Sequence, residues 1–161
     1  MANVSLDSRC RPRVGITIVG PKGEKALEAV IDTGFDGFLC APSQSLAEIG
    51  LPEPDTKITS TFSLADNSRV PVELCMATVR LDDDEQMGLC AIAPADGETL
   101  VGITALLSFK KRLVVDVTND SVELLATTYA QVKQPIAKSQ DRVFPLPPKG
   151  KAMSIKPPTQ L

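Results

Sequence analysis

The residues best suited to chemistry in this sequence are three in a row, Asp32-Thr33-Gly34, delivered by the apolar run Ala29-Val30-Ile31. A carboxylate at the end of an apolar strand, followed by two small residues, sits at a rigid junction and stays open to an incoming group. Such a group can take or give a proton during hydrolysis. Asp, Thr and Gly also favour ordinary turns, so the tripeptide takes its weight from its surroundings. Competing chemistries are few. The chain has no histidine, which removes Ser-His-Asp and Cys-His nucleophiles and every His-containing metal site. Cys10, Cys40, Cys75 and Cys90 show no C-x-x-C spacing and read as buried thiols rather than zinc, iron–sulfur or redox sites. Asp82-Asp83-Asp84-Glu85 lacks the glycine of a calcium loop and reads as a solvated turn. No metal and no cofactor is expected.

The elements around Asp32 read as β. Val14, Ile16 and Ile18 alternate with Gly15 and Thr17 across Arg13 to Val19, the period of a half-buried strand. Gly20-Pro21-Lys22-Gly23 is turn chemistry, and Lys25 to Ile31 returns antiparallel, placing Asp32-Thr33-Gly34 at the far end of the hairpin. A helical period can also be drawn through Glu24 to Ile31. A short strand at Phe38-Leu39-Cys40 precedes a helix from Ser43 to Ile49, capped by Ser43 and stopped by Gly50. Thr56 to Leu64 and Arg69 to Leu81 make a long hairpin around the turn Ala65-Asp66-Asn67-Ser68. The four acids at 82–85 turn the chain into a strand from Met87 to Ala93, which sets Cys75 and Cys90 across from each other. Leu100 to Ile103 is a buried strand and bend, Thr104 to Phe109 a short helix, and 113–117 with 122–125 a last hairpin.

Length and composition fit one modest domain. The 161 residues are 43% hydrophobic and only 4% aromatic, so the core is built from Val, Ile, Leu and Ala, which suits a small sheet closing on itself. The expected organisation is a flexible N-terminal arm at 1–12, a β-barrel domain at 13–128 and a Pro/Lys-rich disordered tail at 129–161. From Gln131 onward six Lys/Arg face Asp141 alone, +5 of the formal −3, leaving −8 on the rest. An acidic body argues against a nucleic-acid partner. No apolar run approaches the roughly 20 residues of a membrane span, and the start of the chain lacks the pattern of a secretion signal. A cytoplasmic location with reduced thiols, and no membrane partner, is the expectation.

The segment Ala29-Val30-Ile31-Asp32-Thr33-Gly34-Phe35-Asp36-Gly37-Phe38-Leu39 resembles the active-site segment of retropepsin-like (retroviral-type) aspartic proteases, especially small bacterial-type members with Asp-Thr-Gly-Phe. About seventy residues on, Leu100-Val101-Gly102-Ile103-Thr104-Ala105-Leu106-Leu107 is similar to the family's second hallmark, an apolar-apolar-Gly segment leading into a helix. The hairpin around Asp66 stands where the family has its flap, so the likeness runs in order from about Arg13 to Leu125. The resemblance implies an all-β fold, a small closed barrel with one or two short helices that works as a symmetric homodimer.

It also implies roles. Asp32, Thr33 and Gly34 would be catalytic, with the Thr33 hydroxyl bonding across the two-fold axis and Gly34 letting the loops approach closely. Phe35, Ala65, Asp66 and Asn67 would bind an extended polypeptide substrate, and Gly102 and Ile103 would support the site from behind. There is no second Asp-Thr-Gly or Asp-Ser-Gly, so the partner carboxylate must come from another copy of the chain. The function implied is an aspartic endopeptidase, with water activated by two Asp32 carboxylates. Two readings stay open beside it: a catalytically silent dimer of the same fold that binds peptides or proteins, and a structural dimer with a basic tail. The sequence departs from the commoner family pattern at Phe35, at Thr104 and in a flap tip without a Gly-rich run or Tyr.

Overall fold

Strand β1 (Val4–Leu6) runs antiparallel to strand β2 (Pro12–Gly20), which turns through Pro21-Lys22 into strand β3 (Gly23–Ile31). The computed structural model describes residues 3–63 and 66–127, which leaves Ala65 and the tail at 129–161 outside the described residues. The β2–β3 ladder runs unbroken from Gly20 opposite Gly23 to Arg13 opposite Val30, so Glu24 to Ile31 is strand and not helix. Val14, Ile16 and Ile18 of β2 are buried, as their alternation requires.

The segment 1–12, expected as a flexible arm, contains β1. A three-residue strand is too short to show a period. What returns it to β2 is Asp7, whose carboxylate accepts the main-chain N–H of Arg9 (2.8 Å) and of Arg11 (3.0 Å) while its carbonyl accepts that of Cys10.

Strand β4 (Leu39–Pro42) leads directly into helix α1 (Ser43–Glu48), anchored by the buried Leu46. Ser43 does not cap this helix. Pro42 occupies the cap position while still pairing with Ala93, and no side chain caps the end, so Ser43 is already helical. Gly50 stops the helix as expected, with φ +80°.

Strands β5 (Ile58–Ser63) and β6 (Arg69–Leu81) form the long hairpin, and β7 (Asp84–Ala93) follows after a turn of only two residues. The expected turn at 82–85 is thus shortened and the strand begins earlier than Met87. Asp84 and Glu85 join the ladder because Arg80 lies opposite Glu85 and pairs with it at 2.8 Å. Cys75 and Cys90 are cross-strand neighbours, both fully buried free thiols. Burial and the Cys75 thiol beside it are what hold Cys90: first the Cys75 contact, then desolvation, push its thiol up, so it stays protonated.

Strand β8 (Leu100–Val101), helix α2 (Ile103–Ser108) and the hairpin β9 (Lys111–Asp116) and β10 (Ser121–Ala126) complete the chain's described part. The strands β2, β3, β8, β4, β7 and β6 pair in that order, and β2–β6 pairing at Thr17–Val19 with Thr78–Arg80 closes a six-stranded barrel. β1 and β5 lie outside it at the free ends of the order. Ile18, Leu39, Leu46, Leu81, Val14 and Val79 are the largest fully buried aliphatics, each worth about 1.5–3 kcal/mol on burial. Phe38 stacks on Phe109 with centroids 6.2 Å apart, fixing α2 to the barrel just below the loop that carries Asp32. No helix among the described residues is long and apolar enough to cross a membrane.

Candidate active site

β3 ends with three consecutive buried residues, Ala29, Val30 and Ile31, and Asp32 is the first residue to emerge from the core, half-buried. β3 runs parallel to β8 with Val30 opposite Leu100 and Ile31 opposite Val101. The Asp32 N–H continues that ladder by donating to the Val101 carbonyl at 3.0 Å. One carboxylate oxygen, Oδ1, accepts the Gly34 N–H at 2.9 Å, and the Phe35 N–H donates back to the Asp32 carbonyl at 3.2 Å. A side chain held by its own loop in this way cannot turn freely, so the carboxylate is oriented before any ligand arrives.

The loop from Thr33 to Phe38 is in turn held from behind by β8 and α2. Gly102 donates to the Phe38 carbonyl at 3.2 Å and Ile103 to the Phe35 carbonyl at 2.9 Å. The Thr104 hydroxyl donates to the Asp36 carbonyl. Gly102 must be glycine: a Cβ there would stand 2.1 Å from the Gly37 carbonyl oxygen and 2.6 Å from that of Phe35. Gly102 and Ile103 thus hold the loop that follows Asp32 from behind. Thr104 joins them as a third support.

Asp32 borders two cavities. One, of about 590 Å³, is lined on the loop side by Asp32, Gly34, Phe35 and Asp36 and on the other by Ser60 to Ser63 of β5. The second, of about 540 Å³, holds Asp32 and Thr33 together with Arg11, Glu98 and the hairpin residues Leu113 and Val115. Thr33 is exposed. Asp36 is exposed too, its fixed contact being the main-chain carbonyl.

The rim of the second cavity is strongly charged. Arg11 grips Glu98 with two hydrogen bonds, of 2.7 and 2.9 Å, and its Nε donates to Asp7 at 2.9 Å. Arg13 bridges the same two acids at 3.1 and 3.2 Å. Hydrogen bonds from the Arg11 main chain, then from Arg9 and the two guanidinium groups, hold the Asp7 carboxyl well below the usual carboxylate range. The Arg11 guanidinium likewise pulls Glu98 down. This network ties the N-terminal segment to the loop before β8 and so to the strand that carries Val101.

The remaining residues expected at the site are placed as follows. Phe35 lies in the cavity wall, and its ring meets that of Phe62 from β5 at a centroid distance of 5.9 Å. Asp66 and Asn67 are exposed at the tip of the β5–β6 hairpin, where Asp66 accepts the Ser68 N–H at 2.9 Å, and neither lines the two cavities. Ala65 lies outside the described residues. The hairpin's contribution to the wall comes instead from Ser60 to Ser63. Phe62, Arg11 and Glu98 were not singled out from sequence, and Thr104 was noted only as a departure from the family pattern. Phe62 shares a strand face with Ser60 and was open to detection by parity alone, whereas Arg11 and Glu98 are 87 residues apart and carry no local signal.

Among the described residues no cluster of three or more Cys, Asp or Glu is placed to hold a metal ion. The chemistry available at Asp32 is that of an oriented carboxylate in an open cleft. Searches of protein-family models and of curated proteins return no match to this chain.

Proposed function

We propose that the protein is an aspartic endopeptidase of the retropepsin type, assembled from two copies of the chain so that two Asp32 carboxylates face one another. The observation that carries this reading is the pre-oriented Asp32 carboxylate at the edge of a 590 Å³ cleft whose far wall is a strand, β5. An extended peptide laid in that cleft can pair with strand backbone while its carbonyl carbon lies over the carboxylate. The exposed Thr33 and the second cavity beside Asp32, bordered by Val115, give the second copy a face to occupy.

Two carboxylates brought into contact cannot both ionise, so the pair holds one proton. The ionised member draws a proton from water as the oxygen attacks the peptide carbonyl. The protonated member donates to the carbonyl oxygen and the tetrahedral adduct then collapses with transfer of a proton to the leaving amine. Val101, Gly102, Ile103 and Thr104 serve this chemistry by fixing the loop, which keeps the carboxylate from relaxing away from its partner.

The test is incubation of the purified chain and of Asp32→Asn with a peptide mixture between about pH 4 and pH 7, the range of shared-proton carboxylates. The expected result is cleavage by the native chain and a loss of at least a hundredfold in the variant, with the fold retained. Peptide binding without cleavage by a proven dimer would replace this reading with that of a binding module. Cleavage that survives the substitution would remove Asp32 from the mechanism.

A further inference from the structure

Cys75 of β6 and Cys90 of β7 face each other across the ladder, and both are fully buried. Directly opposed residues of antiparallel strands have Cα atoms about 4.5–5.5 Å apart, inside the roughly 4.4–6.8 Å that a disulfide spans. Their side chains leave the pleat on the same face, and the two thiols are hydrogen-bonded to each other. The other two cysteines stand apart from this pair. Leu39 is the β4 neighbour of Cys90, so Cys40 projects from the opposite face of the sheet, into the cavity that holds Asp32. Cys10 is exposed in the turn between β1 and β2.

The two sulfurs are chemically unequal. Cys90 keeps its proton, with the Ala91 carbonyl at 3.5 Å as one acceptor. The Cys75 thiol is lowered from its ordinary value, first by the hydrogen bond from Cys90, with burial opposing and the Lys57 ammonium adding to the effect. A thiolate therefore forms more readily on Cys75, with a second thiol already beside it. This is the arrangement of an attacking sulfur and a resolving one.

Their place in the fold gives a bond between them a consequence. Leu74 opposite Ala91 is the first rung at which β7 pairs with β6, and Cys75 opposite Cys90 is the second. Leu74 also stands opposite Ile58, the first residue of β5. The two thiols thus lie at the junction where the β5–β6 hairpin, which walls the Asp32 cavity, leaves the barrel.

We propose that Cys75 and Cys90 form a peroxide-responsive modification site, closing reversibly into a disulfide that locks the hairpin to the barrel at its base. The Cys75 sulfur first attacks one peroxide oxygen. An S–O bond forms and the O–O bond breaks, the sulfur is oxidised to a sulfenic acid, and the other oxygen leaves as water with the proton that Cys75 released. The Cys90 sulfur then attacks the sulfenic sulfur, forming the S–S bond as the S–O bond breaks, and the hydroxyl leaves as water with the Cys90 proton. One peroxide and two thiols give one disulfide and two waters, and a dithiol reverses the change by exchange. Neither step involves Asp32, so the site stands apart from the endopeptidase reading.

The experiment treats the full chain with stoichiometric hydrogen peroxide and follows free thiols, disulfide-linked peptides by mass spectrometry, and limited proteolysis within residues 57–73. Two of the four thiols should be lost, with the linkage mapped to Cys75 and Cys90. Nicking of the hairpin should slow about tenfold or more. Dithiothreitol should restore both, which separates the disulfide from methionine sulfoxide at the exposed Met76 and Met87. Cys90→Ala treated in the same way should show no slowing; if that variant does not fold, the linkage and the nicking rate of the native chain decide. Thiols that survive in folded protein, Cys75 carried on to sulfinic acid, or a bridge to Cys10 or Cys40 overturns the proposal. So does a Cys75–Cys90 bond that leaves nicking unchanged. No readout depends on peptide cleavage by the chain itself, so failure at Asp32 and failure here are seen separately.

Discussion

The Cβ that Gly102 lacks would stand 2.1 Å from the carbonyl oxygen of Gly37, so the helix that follows β8 packs directly on the backbone of the loop that carries Asp32. Neither side can give way cheaply, because both contacts are main chain and Gly102 and Ile103 are hydrogen-bonded to that loop.

Gly102→Ala is therefore expected to cost about 1–3 kcal/mol through overpacking, seen as a fall of several degrees in the thermal midpoint. Since the shift falls on residues 35–37, peptide cleavage by the folded fraction should fall as well. Gly50→Ala is the contrast. Its φ of +80° makes alanine strained at a helix end remote from Asp32, so stability should fall by about 1–2 kcal/mol without loss of cleavage per folded molecule. Thermal melts paired with active-site activity at a temperature where both variants are folded separate the two cases.

A site shared between two copies, as proposed, predicts that specific activity falls with dilution as dimers dissociate. Val115, 41% exposed and on the wall shared with Asp32, is the place to weaken association without touching the carboxylate. In Val115→Lys, sedimentation velocity should show a lower dimer fraction than native protein at equal concentration. Activity should recover as the concentration is raised. A native chain that is monomeric where it is active would sink the shared-site mechanism.

Acid should loosen the fold at its N-terminal side. The Asp7 carboxyl in the folded chain lies below its ordinary value of 3.8, so the stability it confers is present in full above about pH 4 and is lost as pH falls towards the folded value. Glu98, depressed by Arg11, acts with the same sign. Asp7→Asn should lower the thermal midpoint near neutral pH, and the gap from the native chain should shrink steadily below about pH 4. Melts at a series of pH values check this. A gap independent of pH would mean that the amide loses something other than the charge.

Much of this organisation is legible in the residues themselves, for local reasons. The alternation in β2, the turn at Pro21-Lys22 and the uninterrupted apolar run before Asp32 each act within a few residues of chain, and the ladder from Gly20–Gly23 to Arg13–Val30 follows from them. Gly102 is legible only through the family resemblance of the segment Leu100 to Leu107, and its close approach to the Gly37 carbonyl is visible only in the fold. Long-range pairings are not legible in the same way. The Arg11–Glu98 grip, the Phe35–Phe62 contact and the closure of β2 on β6 join residues whose neighbours in sequence say nothing of one another. Ser43 failed as a cap because the preceding strand runs to Pro42, and the acids at 84–85 entered a strand because Arg80 neutralises one of them.

The half of β6 from Arg69 to Glu73 has β5 as its ladder partner, whereas β7 joins only from Leu74 onward and β2 only from Thr78. The wall facing Asp32 is thus a cantilever, rooted in the closed barrel and paired along one edge only. Lifting it breaks no barrel seam, so the free energy of opening is set by one ladder and the Phe35–Phe62 contact instead of by the stability of the whole domain. Amides of β5 should then exchange with solvent long before those of β2 and β3, and the cleft beside Asp32 can open on a timescale far shorter than that of unfolding.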